Sequence, residues 1–245
     1  MHLLITRPEP DADAFRARLE SLGHQVTAEP LLTIEHLPIA ADALEGTAGL
    51  VVTSRNGLRA LAASSAMEAA RQLPIVAVGP GTAALARELG FTHVTEGSGT
   101  ATELVPLIAD VSRTLNGTLM HVRGEQVAVD LKAALLGKGV VLREITSYRA
   151  VPAAALRPQT RELLASGGID AVILMSPRTG ATFAQLIAVA GLREAAQKLV
   201  LLCLSPAVAA SVEPLAPVRV EVADGPNSAA LLSAVTRVAT LWSGV

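Results

Sequence analysis

Cysteine is nearly missing from this chain of 245 residues: Cys203 stands alone, so no internal disulfide can form. It lies in the apolar run Leu199–Leu204, the setting of a buried structural thiol rather than of a nucleophile. With one cysteine and five scattered histidines, no metal-ligand spacing arises, and no histidine pairs visibly with Ser and Asp as a catalytic triad would. Aromatic residues make up only 2% of a chain that is 51% apolar, so its core must be built of Ala, Leu and Val, as in helix-covered parallel sheets. No apolar run approaches the roughly 18–20 residues that span a bilayer, although the mean hydropathy is +0.45. No membrane partner is expected. Met1 to Glu9 lack a basic segment followed by an apolar stretch, which reads as no signal peptide and a cytoplasmic protein. A formal net charge of −2 gives nucleic acid no electrostatic hold. Lysine is scarce too, with three residues against 17 arginines, and arginine is the side chain that grips a carboxylate with two parallel hydrogen bonds.

What is present is a pattern used twice. Leu3–Ile5 reads as a strand, Arg7-Pro8-Glu9-Pro10 as a turn, and a helix follows from about Asp11 with Phe15, Leu19 and Leu22 at helical spacing before Gly23. A second strand is expected from Val26 to about Leu32. Far downstream the order returns: a strand at Thr118–Val122, a turn at Arg123-Gly124-Glu125, a helix carrying Val129, Leu131 and Leu135, a stop at Gly137-Lys138-Gly139, and a strand over Val140–Tyr148. The remaining segments form matching triplets. Leu50–Thr53 leads into Ser54-Arg55-Asn56-Gly57, and Ala171–Met175 into Ser176-Pro177-Arg178-Thr179. Ile75–Val78 leads into Gly79-Pro80-Gly81-Thr82, and Leu199–Leu204 into Ser205-Pro206-Ala207. Val94 precedes Gly97-Ser98-Gly99-Thr100, and Val220–Val222 precedes Gly225-Pro226-Asn227-Ser228.

Strands alternating with helices predict an α/β fold of two similar lobes, each a parallel sheet flanked by helices, joined by a two-stranded linker. Because the first unit precedes one triplet and its twin follows that triplet, residues 1–34 should join 152–245 in one lobe, with 39–148 as the other. The crossings then fall near 32–38 and 147–152; a tandem split near residue 120 would leave each half with an orphan unit.

Parallel sheets bind ligands beyond the C-terminal ends of their strands, and the chemistry is expected between the lobes. There, Ser176 and Ser205 precede helices as capping hydroxyls, with Pro177 and Pro206 suited to the first helical position; Gly79-Pro80 and Gly225-Pro226 have a related form, and Thr100 opens a capping box closed by Glu103. Each turn alone is only a good helix cap. Six together present backbone N–H groups and positive dipole ends to one edge, which suits an anion with several arms. Candidate contacts are Arg7, Thr53, Ser54, Arg55, Asn56, Gly79, Thr82, Thr100, Arg123, Gly124, Ser176, Arg178, Thr179 and Ser205. Tyr148, the sole tyrosine, either packs the linker or offers a phenol as hydrogen-bond donor and weak acid. Gly79-Pro80-Gly81-Thr82-Ala83-Ala84 also fits a dinucleotide turn, but Pro80 separates its glycines and the twin at Ser205 lacks them.

Leu4-Ile5-Thr6-Arg7-Pro8, Leu22-Gly23-His24, Val52-Thr53-Ser54-Arg55-Asn56-Gly57, Val76 to Ala83, Val122-Arg123-Gly124-Glu125 through Tyr148-Arg149, and Val172 through Ser176-Pro177-Arg178, taken in order, resemble the bacterial uroporphyrinogen-III synthase family over essentially the whole chain. The resemblance implies an enzyme, a lyase, that converts the linear tetrapyrrole hydroxymethylbilane into uroporphyrinogen III. It closes the ring while inverting the last pyrrole, with no metal or organic cofactor, and a monomer is expected. The substrate's eight carboxylates explain an edge rich in helix N-termini. The family's recurring linker tyrosine matches Tyr148, its second-lobe hydroxyl Ser176, and the threonine of its glycine turn Thr82. Val208 stands where many relatives carry a hydroxyl, which leaves a backbone N–H contact at that turn. A non-catalytic sensor or binding protein for a polyanionic small molecule, and a nicotinamide-dinucleotide enzyme, are the rival readings.

Overall fold

Leu3, Leu4 and Ile5 are all but inaccessible, and they form strand β1 (His2–Ile5). A short strand buried on both faces is what a run of Leu and Ile gives in a helix-covered sheet. The computed structural model describes residues 1–99, 103–127 and 129–242. After β1 come α1 (Asp11–Ser21), β2 (Gln25–Ala28), β3 (Leu32–His36), β4 (Thr47–Val52), α2 (Arg55–Ala62), α3 (Met67–Arg71), β5 (Ile75–Ala77), α4 (Pro80–Glu88), β6 (Val94–Glu96) and α5 (Leu104–Leu115). There follow β7 (Thr118–Gly124), α6 (Leu131–Leu135), β8 (Leu142–Pro152), α7 (Pro158–Ala165), β9 (Ala171–Leu174), α8 (Pro177–Val189), α9 (Arg193–Gln197), β10 (Val200–Cys203), α10 (Pro206–Ala210), β11 (Arg219–Val222) and α11 (Ser228–Trp242). Among the described residues no helix is long and apolar enough to cross a membrane.

The chain divides into two compact units, residues 1–33 with 151 onward, and residues 34–150. The first holds a sheet in the order β2-β1-β9-β10-β11, the second a sheet in the order β3-β8-β7-β4-β5-β6. The pairs β1–β2, β1–β9, β9–β10 and β10–β11 are parallel, as are β7–β8, β4–β7, β4–β5 and β5–β6. Replacing β1, β2, β9, β10 and β11 by β7, β8, β4, β5 and β6 turns the first order into the second without its edge strand β3, so the repeat visible in the sequence is a repeat of topology.

Each sheet is a middle layer. In the first unit Leu4, Val172, Leu201 and Cys203 pack against α8 and its neighbours, while Leu3, Ile5, Ile173 and Leu202 pack against α1 and α11. In the second unit Leu50, Val52, Ile75 and Val122 face α2, α3 and α4, and Val51, Val76, Leu119 and Leu142 face α5 and α6. Cys203 is wholly buried in the first of these layers, and desolvation pushes its thiol up to about 12, which leaves it inert.

Several local expectations change. The strand expected over Val26–Leu32 is two strands, because the chain turns at Glu29-Pro30-Leu31 between β2 and β3. Arg123 and Gly124 belong to β7 rather than to a turn, since parallel pairing with β8 persists through Gly124 opposite Tyr148. The helix expected around Val129 is only Leu131–Leu135, headed by Asp130, whose side chain accepts from the Ala133 N–H. The last strand of that unit starts at Leu142 and runs on to Pro152. The Thr100 capping box lies outside the described residues apart from Glu103, whose carboxylate accepts from Ser98 Oγ at 2.6 Å.

Gly97 sets the turn after β6. A Cβ there would run into Leu104 Cδ2 and sit 2.8 Å from the Val78 carbonyl oxygen. The leucine can rotate but the backbone oxygen cannot. Gly97→Ala is expected to cost about 1–3 kcal/mol, the usual range for overpacking, measured as a lowered denaturant midpoint at unchanged slope. An unchanged midpoint would refute the close approach.

Candidate functional site

In the first unit, β1 and β9 lie side by side at the centre and register Ile5 with Ile173, so Thr6, Arg7, Met175 and Ser176 emerge together. Thr6 is buried and its hydroxyl donates to the Ile173 carbonyl at 2.7 Å, which ties the two strand ends. Arg7 lies against Met175, with Nη1 3.7 Å from Sδ, and pairs through Nη2 with Asp11 Oδ2 at 3.2 Å. Ser176 heads α8 as a true cap: its Oγ accepts from the Thr179 N–H at 3.1 Å and lies 2.8 Å from Thr179 Oγ1. Extended φ at Ser176 and Pro177 in the first helical turn produce this geometry locally. Thr179 is buried and Arg178 half-buried, its carbonyl accepting from Thr182. Ser205 heads α10 but makes no side-chain cap, and that helix has only 5 residues, too few to add much dipole.

In the second unit, strand order reverses between β4 and β7, the position at which open α/β sheets open a crevice. Val52 is in register with Val122, so Thr53 and Arg123 follow at the same level. Ser54 caps α2, its Oγ accepting from the Asn56 N–H at 3.1 Å. Asn56 Oδ1 accepts from Arg59 Nη1 at 3.0 Å, and Arg55 is the first residue of that helix. Gly57 lets the helix sit on β7, for a Cβ would lie 3.0 Å from the Val122 carbonyl oxygen. Gly79 has an equally local reason: its missing Cβ would lie 2.9 Å from the Gly99 Cα. The glycine that suggested a dinucleotide turn is thereby accounted for by one loop packing on another. Thr82 is buried in the first turn of α4.

Tyr148 stands on β8 opposite Gly124, and its ring lies over that residue. A Cβ on Gly124 would meet the tyrosine ring at 2.7 Å, so the glycine is the platform for the phenol. Tyr148 is half-buried, and its hydroxyl makes no hydrogen bond among the described residues. Arg123 is engaged nearby: Nη1 donates to the carbonyls of Gly124 and Glu125 at 3.1 and 3.2 Å, and Nε lies 3.4 Å from Glu144 Oε1.

Two functional-looking groups, His121 and Glu144, are marked by no motif in the sequence. His121 is 1% exposed in β7, with Nε2 3.3 Å from Thr53 Oγ1 and Nδ1 3.3 Å from Glu144 Oε1. The signal was there as alternation, Leu119, His121 and Arg123 on one face of a strand, but the partner Glu144 is reached only across the sheet. Burial lowers the His121 pKa below the ordinary imidazole value; Glu144 opposes this shift and Arg123 adds to it. Among the described residues no group of His, Cys, Asp and Glu is arranged to hold a metal ion.

The chain resembles solved structures throughout its length. Uroporphyrinogen III synthase of the extremely thermophilic bacterium Thermus thermophilus, crystallised as a mutant, superposes with a TM-score of 0.58 at 19% identity, covering 98% of this chain and 99% of that one. The uroporphyrinogen-III synthetase of Helicobacter pylori superposes with a TM-score of 0.66 at 14% identity, covering 97% and 99%. At such identities these likenesses speak for the fold. No curated protein sequence matches the chain significantly. The model of the family described as uroporphyrinogen-III synthase HemD matches residues 13–233, nearly the whole of both units. The chain belongs to the uroporphyrinogen-III synthase family.

Proposed function

We propose that this protein is a uroporphyrinogen-III synthase acting as a lyase: it removes water from hydroxymethylbilane and closes the ring with the last pyrrole inverted. The observation that carries this reading is the family match over residues 13–233. The hydroxyl and N–H groups at the strand ends of each unit support it, because the substrate is a polycarboxylate and such donors suit carboxylates.

The reaction asks for little acid–base strength. Departure of the hydroxymethyl hydroxyl as water leaves an electrophilic azafulvene. Attack on it by the substituted α-carbon of the last pyrrole gives a spiro intermediate, and fragmentation and reclosure at the free α-carbon invert that ring. The protein's main lever is positioning of one folded substrate conformation. Tyr148, whose phenol has no competing partner among the described residues, donates to the departing hydroxyl. Arg7, Arg178, Ser176, Thr179 and Ser205 in one unit, and Thr53, Ser54, Arg55, Asn56, Gly79, Thr82, Thr100, Arg123 and Gly124 in the other, are proposed to receive the carboxylates. The enzyme works as a cytoplasmic monomer, without nucleic acid or membrane. Supplied with hydroxymethylbilane, the purified protein is expected to form uroporphyrinogen III; formation of isomer I alone, the spontaneous product, would refute the assignment.

A further inference from the structure

Thr53, His121 and Glu144 form a row across β4, β7 and β8, at the reversal of strand order in the second unit. The row fixes its own protons. A carboxylate accepts and does not donate, so the imidazole Nδ1 carries the proton shared with Glu144, and in the neutral ring Nε2 is left as a lone pair. The Thr53 hydroxyl must then donate to Nε2, which spends its only proton inward. Thr53 therefore offers an incoming carboxylate nothing but oxygen lone pairs, which repel it. Protonation of His121 reverses this. Nε2–H then donates to Thr53 Oγ1, and the hydroxyl proton is released to point outward.

We propose, resting on the synthase reading above, that His121 is a positioning residue that couples capture of a substrate carboxylate at Thr53 to uptake of one proton. The proton comes from solvent and goes to Nε2; the Thr53 proton turns from the ring to the carboxylate; no covalent bond changes. The charges balance, since Glu144 and Arg123 already offset each other and the added proton offsets the arriving anion.

The surroundings keep the effect local. The helices on this face, α5 and α6, turn Leu104, Ile108, Leu131 and Leu135 towards the sheet. Their charged residues lie elsewhere: Asp110 and Arg113 pair with each other at the surface, and Lys132 is exposed. Among the described residues, the charged groups acting on the ring are Glu144 from β8 and Arg123 from its own strand. Burial disfavours the charged ring in the resting protein, which leaves a proton to be taken up when substrate arrives.

Two measurements test this. Ring-nitrogen NMR of the substrate-free protein at pH 8 should find His121 as the Nδ1–H tautomer; the Nε2–H tautomer would overturn the proposal. In the second, KM and kcat for hydroxymethylbilane are followed from pH 6.5 to 8.5. KM should rise with pH, towards the tenfold per unit that one linked proton gives, while kcat does not follow it. His121→Gln, which keeps a hydrogen-bonding amide but binds no proton, should flatten the KM profile, and so should Thr53→Val. A native KM independent of pH, or a His121→Gln protein that keeps the native slope, would overturn the coupling. The tautomer is read without substrate, so its failure is distinct from failure of the synthase reading, which would show as no uroporphyrinogen III from the native protein.

Discussion

Tyr148→Phe is expected to slow formation of uroporphyrinogen III about 100-fold, at the lower end of what a positioned proton donor contributes. That factor corresponds to about 2.7 kcal/mol of barrier. The substitution removes one oxygen and keeps the ring, and the ring is what rests on Gly124. Stability should therefore hold within about 0.5 kcal/mol, as for changes that create neither a cavity nor an orphaned partner. The hydroxyl makes no hydrogen bond among the described residues, so none of them is left unpaired. The fall should lie in kcat more than in KM, because the bond to the departing hydroxyl strengthens only as that group leaves. Substrate released unconverted closes spontaneously, so isomer I should accumulate beside the slowed product. Full activity in the phenylalanine protein would remove Tyr148 from the chemistry while leaving the fold and family untouched.

Glu29→Ala is expected to cost about 3 kcal/mol of stability through the loss of two charge-assisted hydrogen bonds in a buried setting. Glu29 is 1% exposed; its carboxylate accepts from the Arg157 N–H at 3.0 Å and from Thr160 Oγ1 at 2.5 Å. Arg157 precedes α7 and has no capping side chain of its own, so a residue 128 positions earlier caps that helix. Alanine would leave the N–H and the buried hydroxyl without partners. For a chain of this size the melting temperature should fall by roughly 6–12 °C. Glu29→Gln, which keeps acceptor oxygen for one of the two donors, should lose about half as much. A melting temperature within a degree or two of the native value in the alanine protein would contradict the capping role.

Glu29 also marks where the sequence stops being legible. The periodic part of the fold could be read directly: Phe15 and Leu19 at helical spacing, the apolar strands around Leu4, Val51 and Val172, and Gly23 with its positive φ after α1 all have local causes. The Ser176-Pro177 cap was readable for the same reason, since its bonds close within three residues. Ser205-Pro206 reads alike and yet makes no cap bond. A carboxylate in a strand exit, taken alone, looks like a solvated turn residue. Glu29 is otherwise only because Thr160 comes to it from 131 positions away.

The same distinction divides the candidate site. Thr53, Ser54 and Arg123 were visible as polar residues at strand ends, where a parallel sheet presents them whatever the strand order. His121 was not, because its meaning depends on β4 and β8 flanking β7, and strand order is a tertiary fact. Tyr148 is conspicuous as the sole tyrosine. That it rests on Gly124 follows from a register shift at Arg123/Gly124, which no periodicity announces.

Inversion of the last pyrrole is the central claim, and bond connectivity tests it most directly. Hydroxymethylbilane labelled with 13C at the hydroxymethyl carbon and at the substituted α-carbon of its last pyrrole should give a product with a one-bond carbon–carbon coupling between the two labels. Spontaneous closure joins the hydroxymethyl carbon to the free α-carbon instead and gives no such coupling. A product from the native protein without that coupling would contradict the claim.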